Sequence, residues 1–81
     1  MDQSSEMAAF VAVVREAGFS AAAHTLHLTP SAVSKQISRL EDRLGVRLLN
    51  RTTRRFSMTE EGEAYYQRAV SILRKSRKPR P

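Results

Sequence analysis

TPSAVSKQISRLEDRLG, residues 29–45, holds two helical rows at once. Val33, Ile37, Leu40 and Leu44 recur at i, i+4, i+7 and i+11, a spacing that stacks them on one face of an α-helix. Ser31, Lys35 and Arg39 recur at i, i+4 and i+8, and Lys35 lies about 200° around the helix from Val33 at 3.6 residues per turn. The apolar row is therefore directed at a core, and the hydroxyl and basic row at whatever lies outside. Thr29 can cap such a helix through its hydroxyl. Pro30 fits the first helical position, where a missing N–H is no loss, and Gly45 suits the position just past the end.

Upstream, Ser20 can cap a short helix through Ala21, Ala22, Ala23 and Leu26, whose small side chains let another helix approach closely. His27 falls in the turn between the two helices, and histidine tolerates a left-handed backbone better than most residues. Two helices joined by so short a turn form a helix-turn-helix unit. Further upstream, Ser4 or Ser5 can cap a first helix, with Glu6 at the positive end of its dipole. Met7, Phe10, Val11 and Val14 at i, i+3, i+4 and i+7 mark its buried stripe, and Gly18 ends it.

Downstream of Gly45 the texture changes. VRLL at 46–49 and FSM at 56–58 are short strand candidates, and the hydrophilic residues 50–55 form a hairpin tip between them. TEEG at 59–62 has the hydroxyl and acids of a helix start. A fourth helix follows to about Lys75, where Tyr65, Tyr66, Ala69, Val70, Ile72 and Leu73 make an apolar band wide enough for two partners. The predicted architecture is mainly α. A winged helix-turn-helix, with a three-helix core and a two-stranded wing, spans 1–58; a linker or dimerisation helix spans 59–76, and a basic disordered tail spans 77–81.

Composition narrows the function. A chain of 81 residues is one domain or part of one, with a small core. Without cysteine it has neither disulfides nor thiolate zinc ligands, and His24 and His27, at i and i+3, lack a third ligand, so no metal is expected. No glycine-rich phosphate loop and no nucleophile beside a base is present, so the chain is expected to be no enzyme and to need no cofactor. The longest apolar run, residues 7–14, falls well short of the roughly 18 residues of a membrane span. The opening MDQSSE lacks the positive segment of a secretory signal, which leads us to expect a soluble, cytoplasmic chain.

The net charge is +6, and its placement is more informative than its size. Residues 1–30 carry one basic and three acidic side chains, whereas residues 31–58 carry seven basic (Lys35, Arg39, Arg43, Arg47, Arg51, Arg54, Arg55) against two acidic. The positive field begins with the helix at 30–44. Charge alone leaves open a polyanion, a hydrated face with local ion pairs, or a membrane-surface patch.

The segment FSAAAHTLHLTPSAVSKQISRLEDRLGVRLLNRT at 19–52, followed by MTEEG at 58–62, resembles the N-terminal DNA-binding region of the LysR-type transcriptional regulators. The likeness covers about residues 7–66. It implies a bacterial, nucleoid-associated regulator that binds double-stranded DNA, with recognition helix 30–44 in the major groove and wing 47–58 at the backbone and minor groove. The residues it assigns to DNA are Thr29, Ser31, Ser34, Lys35, Ser38, Arg39, Arg51, Thr52 and Arg54, with Arg54 reaching into the minor groove. Many members carry Gln-Pro where this chain has Pro30 and Ser31, so the base contacts usually attributed to that pair are not carried over, and Ser31 is a candidate with a different chemistry.

The resemblance also implies a homodimer through the fourth helix, with Tyr66, Ala69, Val70 and Leu73 in the facing row, and hence a pseudo-palindromic site. Longer members add an effector-binding domain that these residues do not encode, so a truncated chain is expected in preference to an unusual short form, and a small-molecule effector would bind outside it. Two rival classes share the charge pattern: a basic RNA-binding or nucleoid protein without sequence preference, and a protein-interaction module whose helical head no longer meets DNA.

Overall fold

The computed structural model describes residues 3–50 and 57–76. Its elements run α1 (Gln3–Glu16), α2 (Phe19–Leu26), α3 (Pro30–Leu44), β1 (Leu49–Asn50), β2 (Ser57–Met58) and α4 (Glu60–Ser76). The strands pair antiparallel, with Leu49 opposite Met58 and Asn50 opposite Ser57. Helices α1, α2 and α3 pack on one another, and α4 lies against α1. The expected three-helix core with a two-stranded wing and a fourth helix is thus the observed architecture. The tail at 77–81 lies outside the described residues.

Local chemistry fixes the start of α3 as its sequence suggests. The Thr29 hydroxyl accepts the Ala32 N–H at 3.1 Å, and Pro30 occupies the first turn. At the other end Gly45 takes φ 73° and its N–H reaches the Glu41 carbonyl at 2.8 Å, a left-handed close that a side chain would resist. His27 closes α2 in the same way at φ 59°, with its N–H on the His24 carbonyl and the Leu28 N–H on the Ala23 carbonyl.

Two caps differ from expectation. Helix α1 already includes Ser4 and Ser5, so neither serine stands in front of it. Helix α2 begins at Phe19 with Gly18 in the cap position, which leaves Ser20 inside the helix. The end of α1 is shifted as well. Ala17, not Gly18, takes the left-handed conformation at φ 56°, and Gly18 supplies the N–H that bonds the Val13 carbonyl at 3.1 Å.

The core is formed by Ala9, Phe10, Val13, Ala22, Ala23, Val33, Ile37, Leu40, Leu48 and Leu49. In α1 the buried row is Glu6, Ala9, Phe10 and Val13, with Val11 beside it, while Met7 and Val14 are only half-buried. The stripe is therefore rotated from the expected Met7, Phe10, Val11, Val14. An eight-residue apolar run carries no phase of its own, and α1 is packed by three other helices. In α3, Val33, Ile37 and Leu40 are fully buried as expected, but Leu44 is 40% exposed. It lies on the correct face at the helix end, where the covering layer stops.

The expected strand at 46–49 contracts to Leu49, and pairing extends instead into Asn50. The reason lies at Leu48, whose N–H is accepted by Glu41 Oε2 at 2.8 Å and whose carbonyl accepts the Thr59 N–H at 3.1 Å. The carbonyl thus bonds the residue opposite it in this register, but the N–H is turned to Glu41, so only one of the two bonds of that pair is made and the ladder ends there. Across the pair, the Asn50 amide donates to the Ser57 hydroxyl at 3.2 Å and to the Met58 carbonyl at 3.3 Å. Thr59 then caps α4 by accepting the Gly62 N–H at 2.9 Å, with Glu60, Glu61 and Glu63 in its first turn. The first half of α4 joins the main core: Tyr65 and Tyr66 meet Phe10 edge-on at ring separations of 5.6 and 6.3 Å. The sequence boundary at 58/59 is therefore continuous in packing.

Candidate nucleic-acid interface

Helix α3 presents the row opposite its core. Ser31, Lys35 and Arg39 are exposed, and Ser34 and Ser38, on the flank, are half-buried. The Thr29 hydroxyl is engaged as a cap acceptor, but a hydroxyl that accepts keeps its own hydrogen to donate. Among the described residues the two ion pairs are Glu6–Arg43 and Glu41–Arg47, and neither includes Lys35 or Arg39. These two cations stand in solvent on the face turned away from the protein. A helix with a buried apolar row and an exposed hydroxyl and basic row has the dimensions and chemistry for the major groove, about 12 Å wide.

Arg43, partly exposed, turns back onto the protein. Its guanidinium donates to Glu6, whose side chain is 7% exposed, and it lies near the Tyr65 phenol. Burial pushes the Tyr65 phenol above its ordinary pKa, and the nearby Arg43 guanidinium offsets part of that rise while Glu6 adds to it. This cluster ties α1, α3 and α4 together, so the fourth helix is fixed relative to the recognition face. The local ion pairing of a hydrated basic face is thus present at Arg43, with Glu6, and among the described ion pairs it does not extend to Arg39.

The wing root is held from two sides. From α3, Glu41, a buried residue, accepts the N–H groups of Leu48 at 2.8 Å and Leu49 at 3.2 Å, and its other oxygen lies 3.5 Å from the largely exposed Arg47 guanidinium. From α4, Thr59 donates its hydroxyl to the Arg47 carbonyl at 2.6 Å and its N–H to the Leu48 carbonyl. In the sequence Glu41 is legible only as one of two acids in a basic stretch. The signal that would have found it is position: it follows Leu40 on the flank of the apolar row, four residues after Ile37. The wing-tip residues assigned to DNA, Arg51, Thr52 and Arg54, together with Arg55, lie outside the described residues.

On α4 the four residues assigned to a partner copy divide. Ala69 is completely covered by this chain, and Tyr66 is half-buried against the core, so both are used in packing the domain itself. That corrects the expectation for Ala69, which has no surface to offer. Val70 and Leu73 are half-buried and line, with Val11, Arg15 and Arg74, a groove between α1 and α4 of about 150 Å³. Ile72, 49% exposed, is the larger apolar surface on this helix. Among the described residues no three of His, Cys, Asp and Glu gather into a metal site, and no helix is long and apolar enough to cross a membrane.

The arrangement has close counterparts. The chain is 54% identical over 70 residues to the HTH-type transcriptional regulator CrgA of Neisseria meningitidis, a match covering 86% of this chain and 23% of that protein. It superposes on the BenM DBD of a benA site 1 DNA complex with a TM-score of 0.88 at 37% identity, covering 93% of this chain and 84% of that one. The CbnR DBD of another DNA complex gives a TM-score of 0.86 at 32% identity, over 93% and 86% of the two chains. The chain thus spans under a quarter of the length of the curated relatives it matches. Residues 4–63, which include the helix-turn-helix and the wing root, match the description "Bacterial regulatory helix-turn-helix protein, lysR family", and the chain belongs to that family.

Proposed function

We propose that this chain is the sequence-specific, double-stranded DNA-binding region of a LysR-type bacterial transcriptional regulator acting in the cytoplasm at the nucleoid. Helix α3 enters the major groove, and the wing at 47–58 follows the backbone toward the minor groove. The observation that carries this reading is the exposure of Ser31, Lys35 and Arg39 opposite the buried Val33, Ile37 and Leu40. Fold likeness to chains solved in DNA complexes supports it.

In this reading Lys35 contacts a guanine edge or a phosphate, Arg39 a phosphate, and the serine hydroxyls base edges or phosphates. Two copies pair through α4 by Val70, Leu73 and the neighbouring Ile72, which gives a pseudo-palindromic site. No catalytic role, metal or cofactor is assigned to these residues; a small-molecule effector would bind the further domain that longer family members carry.

Selection of bound duplexes from a random pool tests the reading. The expected result is one motif with two-fold symmetry and half-sites about one helical turn apart or a multiple of it. Recovery of the pool without enrichment would assign the charge to non-specific binding instead.

A further inference from the structure

The wing is joined to the recognition helix by Gly45, Val46 and Arg47, all exposed. Such a link does not by itself define where the wing stands. Leu48 and Leu49, the next two residues, are buried, and their N–H groups converge on one carboxylate oxygen of Glu41, which lies on the last full turn of α3. A buried carboxylate accepting two backbone N–H groups is a strong, directional restraint, since charge-assisted hydrogen bonds are about twice as strong as neutral ones.

We infer that Glu41 is a positioning residue for DNA binding: it locks the wing root to the C-terminal end of the recognition helix, so that both reach one duplex at a fixed separation. The inference rests on the DNA-binding reading and adds a residue to it that touches no DNA. It also has an unusual sign. Removing an acidic side chain from a DNA-binding domain ordinarily raises affinity, because it removes repulsion from phosphates. For Glu41 the loss of the restraint outweighs that gain.

Asp42 supplies the control, since it is the adjacent residue, carries the same charge and is exposed. The duplex recovered from the random pool is titrated with the 81-residue chain and with Glu41→Gln, Glu41→Asp and Asp42→Asn, at a temperature where all have the wild-type helical circular dichroism. Glu41→Gln is expected to lower affinity about tenfold, the effect of weakening one charge-assisted hydrogen bond. Glu41→Asp, which keeps the charge but falls one methylene short, is expected to lower it as well, whereas Asp42→Asn raises or preserves it. In the free protein, amide exchange at Leu48 and Leu49 should accelerate in both Glu41 variants and not in Asp42→Asn. If Glu41→Gln binds as tightly as Asp42→Asn, or if exchange at the two leucines is unchanged, the inference is overturned. A wild-type chain that retains no duplex overturns the DNA-binding reading along with it, while its exchange data still report whether the restraint exists.

Discussion

A Cβ built on Gly62 would stand 2.0 Å from the carbonyl oxygen of Leu48. The first turn of α4 and the wing root are in contact at the one place where a side chain would separate them. The carbonyl cannot swing aside cheaply, since it accepts the Thr59 N–H and its own residue is completely buried. Gly62→Ala is therefore expected to destabilise the domain by about 2–3 kcal/mol, in the range of other overpacking substitutions. Gly18→Ala, where nothing lies within 4 Å, should cost less than about 1 kcal/mol. Chemical denaturation of the two variants measures the difference, and equal midpoints would contradict the close approach.

Ala17 offers the opposite test. It adopts φ 56° to end α1, although an L-residue with a Cβ resists that conformation by about 1–2 kcal/mol. Ala17→Gly should accordingly raise stability by up to about 1 kcal/mol, the relief being reduced by the extra freedom glycine has when unfolded. Thermal melting that shows no gain would mean the left-handed turn is not kept in solution.

Arg43 joins Glu6 and Tyr65, and two measurements follow from that cluster. Arg43→Met leaves the buried Glu6 carboxylate without its cation, so a loss of about 1–3 kcal/mol is expected, below the figure for a fully buried pair because Arg43 is partly exposed. In a Glu6→Gln background the same change should cost clearly less, and simple additivity would show that the two do not interact.

The Tyr65 phenol reports the cluster independently. Its folded pKa is raised, chiefly by burial, above the ordinary value of about 10. The folded state thus holds this proton more tightly than the unfolded state. The stability it contributes is fully present below pH ~10 and is lost as pH rises through the folded pKa. Phenolate absorbance in a Tyr66→Phe background should show a midpoint above the free-tyrosine value, and Arg43→Met should move it higher still. A midpoint at or below the ordinary value would contradict the burial of this ring.

Where sequence alone sufficed, the deciding forces were local. Thr29, Pro30 and Gly45 are read from the capping needs of one helix, His27 from one turn, and Thr59 from the start of α4, and all five act as read. The period of Val33, Ile37 and Leu40 likewise needs no knowledge of what covers it. Reading failed where a distant neighbour decides. The phase of the α1 stripe depends on three packed helices, and Ala69 is removed from the surface by α1, which its own helix does not specify. Glu41 was hidden for the same reason: its partners are two backbone N–H groups seven and eight residues on, and backbone groups leave no mark on a sequence.

Association through α4 separates by residue. Ala69 has no exposed surface, so Ala69→Glu should unfold the chain rather than reveal an interface. Ile72, 49% exposed, should tolerate Ile72→Glu with little change in melting while sedimentation shows weakened self-association. An unchanged sedimentation profile would remove Ile72 from the pairing surface.

The recognition face makes the most direct demand. Lys35 and Arg39 are exposed and outside the described ion pairs, so alanine at either should leave stability within about 0.5 kcal/mol of wild type. If Lys35 meets a base, Lys35→Ala should cost about 1–3 kcal/mol of binding and relax the preference at one position of the selected motif; Arg39→Ala, on a phosphate, should weaken all duplexes alike. The charge leaves a second trace. Each neutralised phosphate contributes about −0.9 to the log–log dependence of affinity on salt, so Arg39 alone gives about −0.9 per subunit, and Lys35 about as much again where it meets a phosphate instead of a base, before any wing-tip residue is counted. Removing Arg39 should flatten that slope by about 0.9. A slope near zero, or one that Arg39→Ala leaves untouched, would place these cations in solvent and the function of the helix elsewhere.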